Sequence, residues 1–131
     1  MPKRHIVPEG SRKTIFTKNK KWMGCLTINN PIGRPLCATM GKWHRANQDN
    51  YFTEDYVMSA NRPSLVDYKW EDESLRRITP LEGLRYQGFS DENALIFDSL
   101  GLSVTNQYRM IGNAVPVNLA QEAFKHLINH A

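Results

Sequence analysis

The last sixteen residues carry the strongest constraint on what this chain can fold into. From Pro116 to about Ile128, the residues Leu119, Ala120, Ala123, Phe124, Leu127 and Ile128 recur at spacings of three and four. That period sets them on one stripe of an amphipathic α-helix, with Pro116 suited to its first turn. Such a stripe must be buried against another surface. The first 75 residues offer few long aliphatic side chains to receive it. Two outcomes are open on this pattern: the helix packs on short helices that precede it, or it docks on a partner.

The front of the chain reads differently. Pro8-Glu9-Gly10, Asn29-Asn30-Pro31 and Ile32-Gly33-Arg34-Pro35 are breaker clusters. Between and beyond them lie short runs with strand character: Thr14-Ile15-Phe16-Thr17, Cys25-Leu26-Thr27-Ile28 and Tyr51-Phe52. Tyr56-Val57-Met58 and Leu65-Val66-Asp67-Tyr68 continue the pattern, so residues up to 75 are expected to be irregular β with long loops. Loops on a sparse scaffold often carry binding residues.

At Arg76 the character changes to helical. Thr79-Pro80-Leu81-Glu82 is a helix start with a mechanism: Thr79 caps, Pro80 fits the first helical position, and Glu82 reaches back to close a capping box. Gly88 is expected to stop that helix. Ser90-Asp91-Glu92 opens a second short helix that Gly101 ends, and Thr105 opens a third turn through Tyr108 and Met110. The expected class is therefore α+β.

Charge narrows the partner. Residues 1–22 hold seven basic residues and one acid, a balance of +6, while the remaining residues hold ten basic and twelve acidic, a balance of −2. A basic segment of this kind suits a polyanion, because neutralising phosphates releases counterions; a solvated tail without a specific partner is the plainer alternative. No apolar run approaches the about 18 residues that a spanning helix needs, so no membrane partner is expected. Cys25 and Cys37 cannot build a disulfide framework, and no Cys/His group has zinc spacing. A reduced, cytoplasmic setting follows as an expectation.

Two stretches are specific enough to carry a family resemblance. Arg76-Arg77-Ile78-Thr79-Pro80-Leu81-Glu82-Gly83-Leu84-Arg85-Tyr86-Gln87-Gly88-Phe89-Ser90-Asp91 closely resembles the ninth conserved motif of DNA cytosine-5 methyltransferases. Asn106-Gln107-Tyr108-Arg109-Met110-Ile111-Gly112-Asn113-Ala114-Val115-Pro116 resembles the tenth and last. The departures are modest: Gly83 stands where Cys or Ala is common, Ser90 where Pro is usual, Ile78 where Leu is usual. Upstream, Arg34-Pro35-Leu36-Cys37-Ala38-Thr39-Met40 is similar to the Pro-Leu-x-Thr element of the target-recognition region, with Ala38 at the Thr position and Thr39 one residue late. The resemblance is firm over 76–131 and loose over 11–75.

The family works by covalent catalysis on a flipped-out cytosine, with the methyl group taken from S-adenosylmethionine. The nucleophilic Pro-Cys-Gln loop, the Glu-Asn-Val element and the Phe-x-Gly-x-Gly cofactor loop do not occur in this sequence. The resemblance is thus to the C-terminal part of the enzyme. It implies a basic N-terminal segment over 1–22, a target-recognition region over 23–75, a ninth-motif helical region over 76–103, and a tenth-motif turn with the C-terminal helix over 104–131. It also implies double-stranded DNA as substrate and a larger methyltransferase subunit, carrying the nucleophilic Cys, as partner. The C-terminal helix would then dock on a Rossmann-like catalytic domain supplied by that other chain. This chain alone would transfer no methyl group. A bacterial or phage restriction–modification setting fits. The rival reading is a non-enzymatic DNA-binding module or a truncated remnant.

Individual residues follow. Asn113, Ala114 and Val115 match the element that lines the cofactor pocket; a Gly-Asn turn before a Pro-started helix offers N–H groups and an amide to a small polar ligand, with a helix cap as the alternative role for Asn113. Gly112 and Gly88 read as backbone requirements. Arg76 and Arg85 match the ninth-motif arginines and are expected to pair internally, with DNA contact as the alternative. Arg34, Thr39, Lys42, His44 and Arg45 are the candidate DNA contacts, in a segment that mixes cations, amides and Gly41; an ordinary polar loop is the alternative. Trp43 within it suits the core. Lys18, Lys20 and Lys21 suit phosphates more than bases. No metal ligand set is expected.

Overall fold

Local backbone chemistry explains most of the elements in the computed structural model, which describes residues 5–17, 26–59, 65–66 and 74–130. The expectations placed on Lys18, Lys20, Lys21 and Cys25 lie outside those residues. The fold is α+β and divides into two units, Met1–Pro35 with Lys42–Ile78, and Leu36–Gly41 with Thr79–Ala131.

In the first unit the elements are α1 (Glu9–Ile15), β1 (Thr27–Ile28), β2 (Tyr51–Thr53), α2 (Glu54–Ser59), β3 (Leu65–Val66) and β4 (Leu75–Arg77). The strands form two antiparallel pairs. Tyr51, Phe52 and Thr53 face Arg77, Arg76 and Leu75, while Thr27 and Ile28 face Val66 and Leu65. Val7 N–H donates to Leu75 O at 2.8 Å, laying the N-terminal segment along β4. The core gathers Val7, Ile15, Ile28, Ala46, Tyr51 and Leu75, with Phe16, Leu26 and Trp43 packed on it. Asn29 takes a left-handed conformation (φ 56°), one that Asn tolerates. From there its N–H reaches Tyr51 O at 2.9 Å and its side-chain oxygen accepts Thr53 N–H at 2.8 Å. This single residue therefore ties the end of β1 to β2.

Two segments expected to be extended are helical. Thr14-Ile15-Phe16 has strand propensity, yet α1 ends there. Pro8 is extended ahead of the helix, Glu9 sits in the first turn and Arg12 and Lys13 in the last, the arrangement that complements the helix dipole. Burial of Ile15, the one buried residue of α1, then outweighs the weak preference of a β-branched pair. Tyr56-Val57-Met58 lies in α2. Thr53 Oγ1 accepts Tyr56 N–H at 3.2 Å, and Glu54 and Asp55 occupy the first turn.

The second unit holds α3 (Pro80–Tyr86), α4 (Glu92–Ser99), α5 (Val104–Asn113) and α6 (Val117–His130). The capping box at Thr79 is complete: Thr79 Oγ1 accepts Glu82 N–H at 3.2 Å, and Glu82 Oε2 accepts Thr79 N–H at 2.7 Å. Gly88 (φ 81°) and Gly101 (φ 61°) reverse the chain after α3 and α4 in a conformation open to glycine. α5 starts two residues earlier than Thr105 suggests, because Ser103 caps it: Ser103 Oγ accepts Asn106 N–H at 3.3 Å. It also runs through Gly112 and Asn113, so these residues form its last turn and not a free turn ahead of α6. α6 buries none of its residues.

Leu36–Gly41 belongs to this unit although it is far away in sequence. Met40 is buried, and Gly41 lies against Thr105 and Tyr108. A Cβ on Gly112 would overlap the Cys37 carbonyl and the Ala38 nitrogen, so two backbones touch at this point. Gly112→Ala is expected to cost at least about 3 kcal/mol, the upper part of the range for overpacking, because backbone cannot move aside as a side-chain tip can. Thr79→Ala is expected to cost about 1 kcal/mol through loss of the cap. Urea unfolding of each variant checks both.

Candidate DNA-facing and cofactor-facing residues

The segment from Lys42 to Asn50 is shaped by backbone hydrogen bonds before any side chain is considered. His44 N–H donates to Lys42 O at 3.2 Å, and Gln48 and Asp49 N–H both reach Arg45 O, at 2.9 and 3.1 Å. Ala46 N–H donates to Ile15 O at 2.9 Å, and Tyr51 O–H donates to His44 O at 2.6 Å. These bonds hold the loop to the core of the first unit. They leave Lys42 exposed and His44 and Arg45 half-buried.

Electrostatics reinforce that shape. Asp49 is buried, and its carboxylate lies 3.2 Å from His44 Nδ1. Burial pushes the Asp49 carboxyl above its ordinary value; the nearby charges of His44 and Arg77 and the His44 backbone N–H pull the other way. The Arg77 guanidinium sits 4.2 Å from the centre of the Trp43 ring, a cation–π contact that keeps Trp43 against the core.

Arg34 is committed inward. Its Nε donates to Ala46 O at 3.1 Å and its Nη2 to Thr27 Oγ1 at 2.8 Å. Asn50 clasps the same residue from both sides: Arg34 N–H donates to Asn50 Oδ1 at 2.7 Å, and Asn50 Nδ2 donates to Arg34 O at 3.0 Å. The cation expected to face DNA is thus a strut beneath the loop. Asn50 and Arg77 carry no local signal of these roles, since each acts on a residue distant in sequence. Thr39, in the second unit, is exposed, with its hydroxyl 3.6 Å from Cys37 Sγ.

The ninth-motif arginines behave differently from one another. Arg76 is 1% exposed, and its Nη1 donates to Arg77 O at 3.1 Å. Arg85 does pair, but at the surface. Its Nε and Nη2 reach both oxygens of Asp91, at 2.8 and 2.6 Å, with side chains 56% and 59% exposed. The expectation of burial fails at Arg85 because its helix turns that face outward. The hydrogen bond to Arg85 holds the Asp91 carboxyl below its ordinary value.

At the α5–α6 junction, Gln87 is the organising residue. Its Nε2 donates to Ile111 O at 3.1 Å and Ala114 O at 3.4 Å, and its backbone O accepts Val117 N–H at 2.8 Å. Asn113 and Val115 stand exposed on either side of half-buried Ala114. Asn113 is the last residue of α5, so it does not cap α6.

The family model of C-5 cytosine-specific DNA methylases matches residues 6–129. The orphan methyltransferase M.Rho11sI of Bacillus phage rho11s is 27% identical over 108 residues, covering 79% of this chain and 22% of that protein. The type II methyltransferase M.NgoPII of Neisseria gonorrhoeae is 38% identical over 74 residues, 56% of this chain and 18% of its own length. The orphan methyltransferase M.SPBetaI of Bacillus phage SPbeta is 26% identical over 139 aligned residues, covering 97% of this chain and 30% of that protein. The chain therefore spans less than a third of each of these relatives. No solved structure matches it. No helix among the described residues is long and apolar enough to cross a membrane. With the family model matched over nearly its whole length, this chain belongs to the C-5 cytosine-specific DNA methylase family.

Proposed function

We propose that this chain is the DNA-recognition and cofactor-domain-completing subunit of a two-chain, S-adenosylmethionine-dependent DNA cytosine-5 methyltransferase. One observation carries the reading. Leu119, Phe124, Leu127 and Ile128 on α6 are 62%, 65%, 62% and 75% exposed, in a chain that spans less than a third of its relatives. An apolar stripe of that size in water marks a docking face. The matching surface is the Rossmann-like catalytic domain of a larger subunit, which brings the nucleophilic Cys and most of the cofactor site.

Each part of this chain then has a task. Lys42 and Arg45, on the loop held by Asp49 and Tyr51, neutralise DNA phosphates or meet base edges, with His44 and Thr39 as further polar contacts. Lys18, Lys20 and Lys21 add phosphate contacts from the basic front. Together they hold the duplex while the target cytosine leaves the stack. Asn113 and Val115 are both exposed, on either side of half-buried Ala114, and offer an amide and an apolar surface. That is one rim of a binding surface and fits a pocket completed by a second chain. Bound S-adenosylmethionine supplies the methyl group. A restriction–modification system is the setting.

Methyl transfer from labelled S-adenosylmethionine to DNA tests the proposal. This chain is assayed alone and then co-expressed with a family polypeptide that carries Pro-Cys-Gln. Incorporation is expected only in the mixture. The Leu119→Ser/Phe124→Ser/Leu127→Ser variant is expected to lower it at least about hundredfold, since three buried side chains are worth more than the ~3 kcal/mol this represents. Activity from the chain alone overturns the account of the missing nucleophile. DNA binding with no activity in either sample moves the chain to a non-enzymatic binding module.

The recognition loop has its own test in the salt dependence of DNA binding. Lys42→Ala is expected to lower the slope of log K against log salt by about 0.9, the loss of one phosphate contact. Arg34→Ala is expected to leave that slope unchanged and to reduce folding stability. The two readouts separate a contact from a strut.

A further inference from the structure

Among the described residues is a pair of metal-ligating side chains that the proposed function does not use. His126 and His130 lie four residues apart near the end of α6, with ring centroids 4.3 Å apart and planes tilted by 56°. Both side chains are exposed. Residues at this spacing stand one above the other on a helix face, because the side chains of successive turns project in the same direction. Two imidazoles held in that way can each turn a ring nitrogen toward one point between them. A divalent transition ion bound there takes nitrogen ligands at about 2.0–2.1 Å.

We propose that His126 and His130 form a two-histidine chelate on α6 for a borderline divalent transition ion, with Zn²⁺ as the probe. Imidazole suits such ions, whereas hard cations such as Mg²⁺ prefer oxygen. Water fills the remaining coordination positions, which keeps this an open site. Glu122, one turn earlier, is held by Lys125 Nζ at 2.7 Å and is not counted among the ligands.

The site has a structural consequence. α6 has fourteen residues and fully buries none of them, and a helix of that length with so little packing is marginal in water. Chelation across its last turn links two residues that the helix already sets side by side. Metal binding therefore favours the helical form over the frayed one, by the linkage between a ligand and the state that binds it. The helix that carries the apolar stripe becomes better formed when the ion is present. This inference stands independently of the subunit reading, because it concerns side chains of one helix in this chain.

The experiment is a Zn²⁺ titration of the native chain, followed by the ring-proton NMR signals of its four histidines and by far-UV circular dichroism. The signals of His126 and His130 are expected to move together and saturate near one equivalent, with a rise in helical ellipticity. His126→Ala and His130→Ala, at exposed positions, are each expected to weaken binding at least tenfold and abolish the gain in ellipticity. The proposal is overturned if the two signals do not move, or if either variant binds Zn²⁺ within twofold of the native chain.

Discussion

Gln87 satisfies three backbone groups where α3, α5 and α6 meet. Its amide serves the carbonyls of Ile111 and Ala114, and its own carbonyl takes the N–H of Val117. Helix ends leave carbonyls and N–H groups unpaired, and burying them without partners is costly. A single buried glutamine therefore decides how one helix ends and the next begins. The ordering of Asn113, Ala114 and Val115 follows from it. So does the placement of Gly112, whose backbone touches that of Cys37 and Ala38. That contact draws the Leu36–Gly41 segment into the helical unit, across more than seventy residues of sequence.

The β-containing unit is built on a different principle. Its strands are only two or three residues long, too short to supply much cohesion by pairing alone. Polar side chains make up the difference. Asn29 joins β1 to β2, Asn50 and Arg34 clasp one another, and buried Asp49 lies beside His44. Such a scaffold allows a loop to be firmly held without being part of a sheet. It also explains why a cation in the recognition segment can serve as internal support. Arg34 spends its donors on Ala46 and Thr27, while Lys42, on the same segment, stays in solvent.

Legibility in the sequence tracked the range of the interaction. The Thr79–Glu82 capping box, the stops at Gly88 and Gly101 and the stripe of α6 each depend on residues within a turn or two of one another, and all are present. The strand expectation at Thr14–Thr17 failed where a helix with well-placed charges at both ends competes with β-branched propensity, and burial of Ile15 settles the contest. The inward turn of Arg34 was illegible because its partner Ala46 is brought to it by how the unit packs, and no local pattern announces it.

The motifs over Arg76–Asp91 and Asn106–Pro116, read from the sequence by themselves, determined the family, the helical order of the second half and the absence of a nucleophile loop. Such features are written in residue identity and short spacing. Tertiary structure alone decided which side chains remain available to a ligand. It tied the half-buried Arg34 side chain to Ala46 and Thr27, left Asn113 and Val115 in solvent, and set the α6 stripe outward with none of its residues buried. Availability is a property of what else lies nearby in space, and chain neighbours do not determine that.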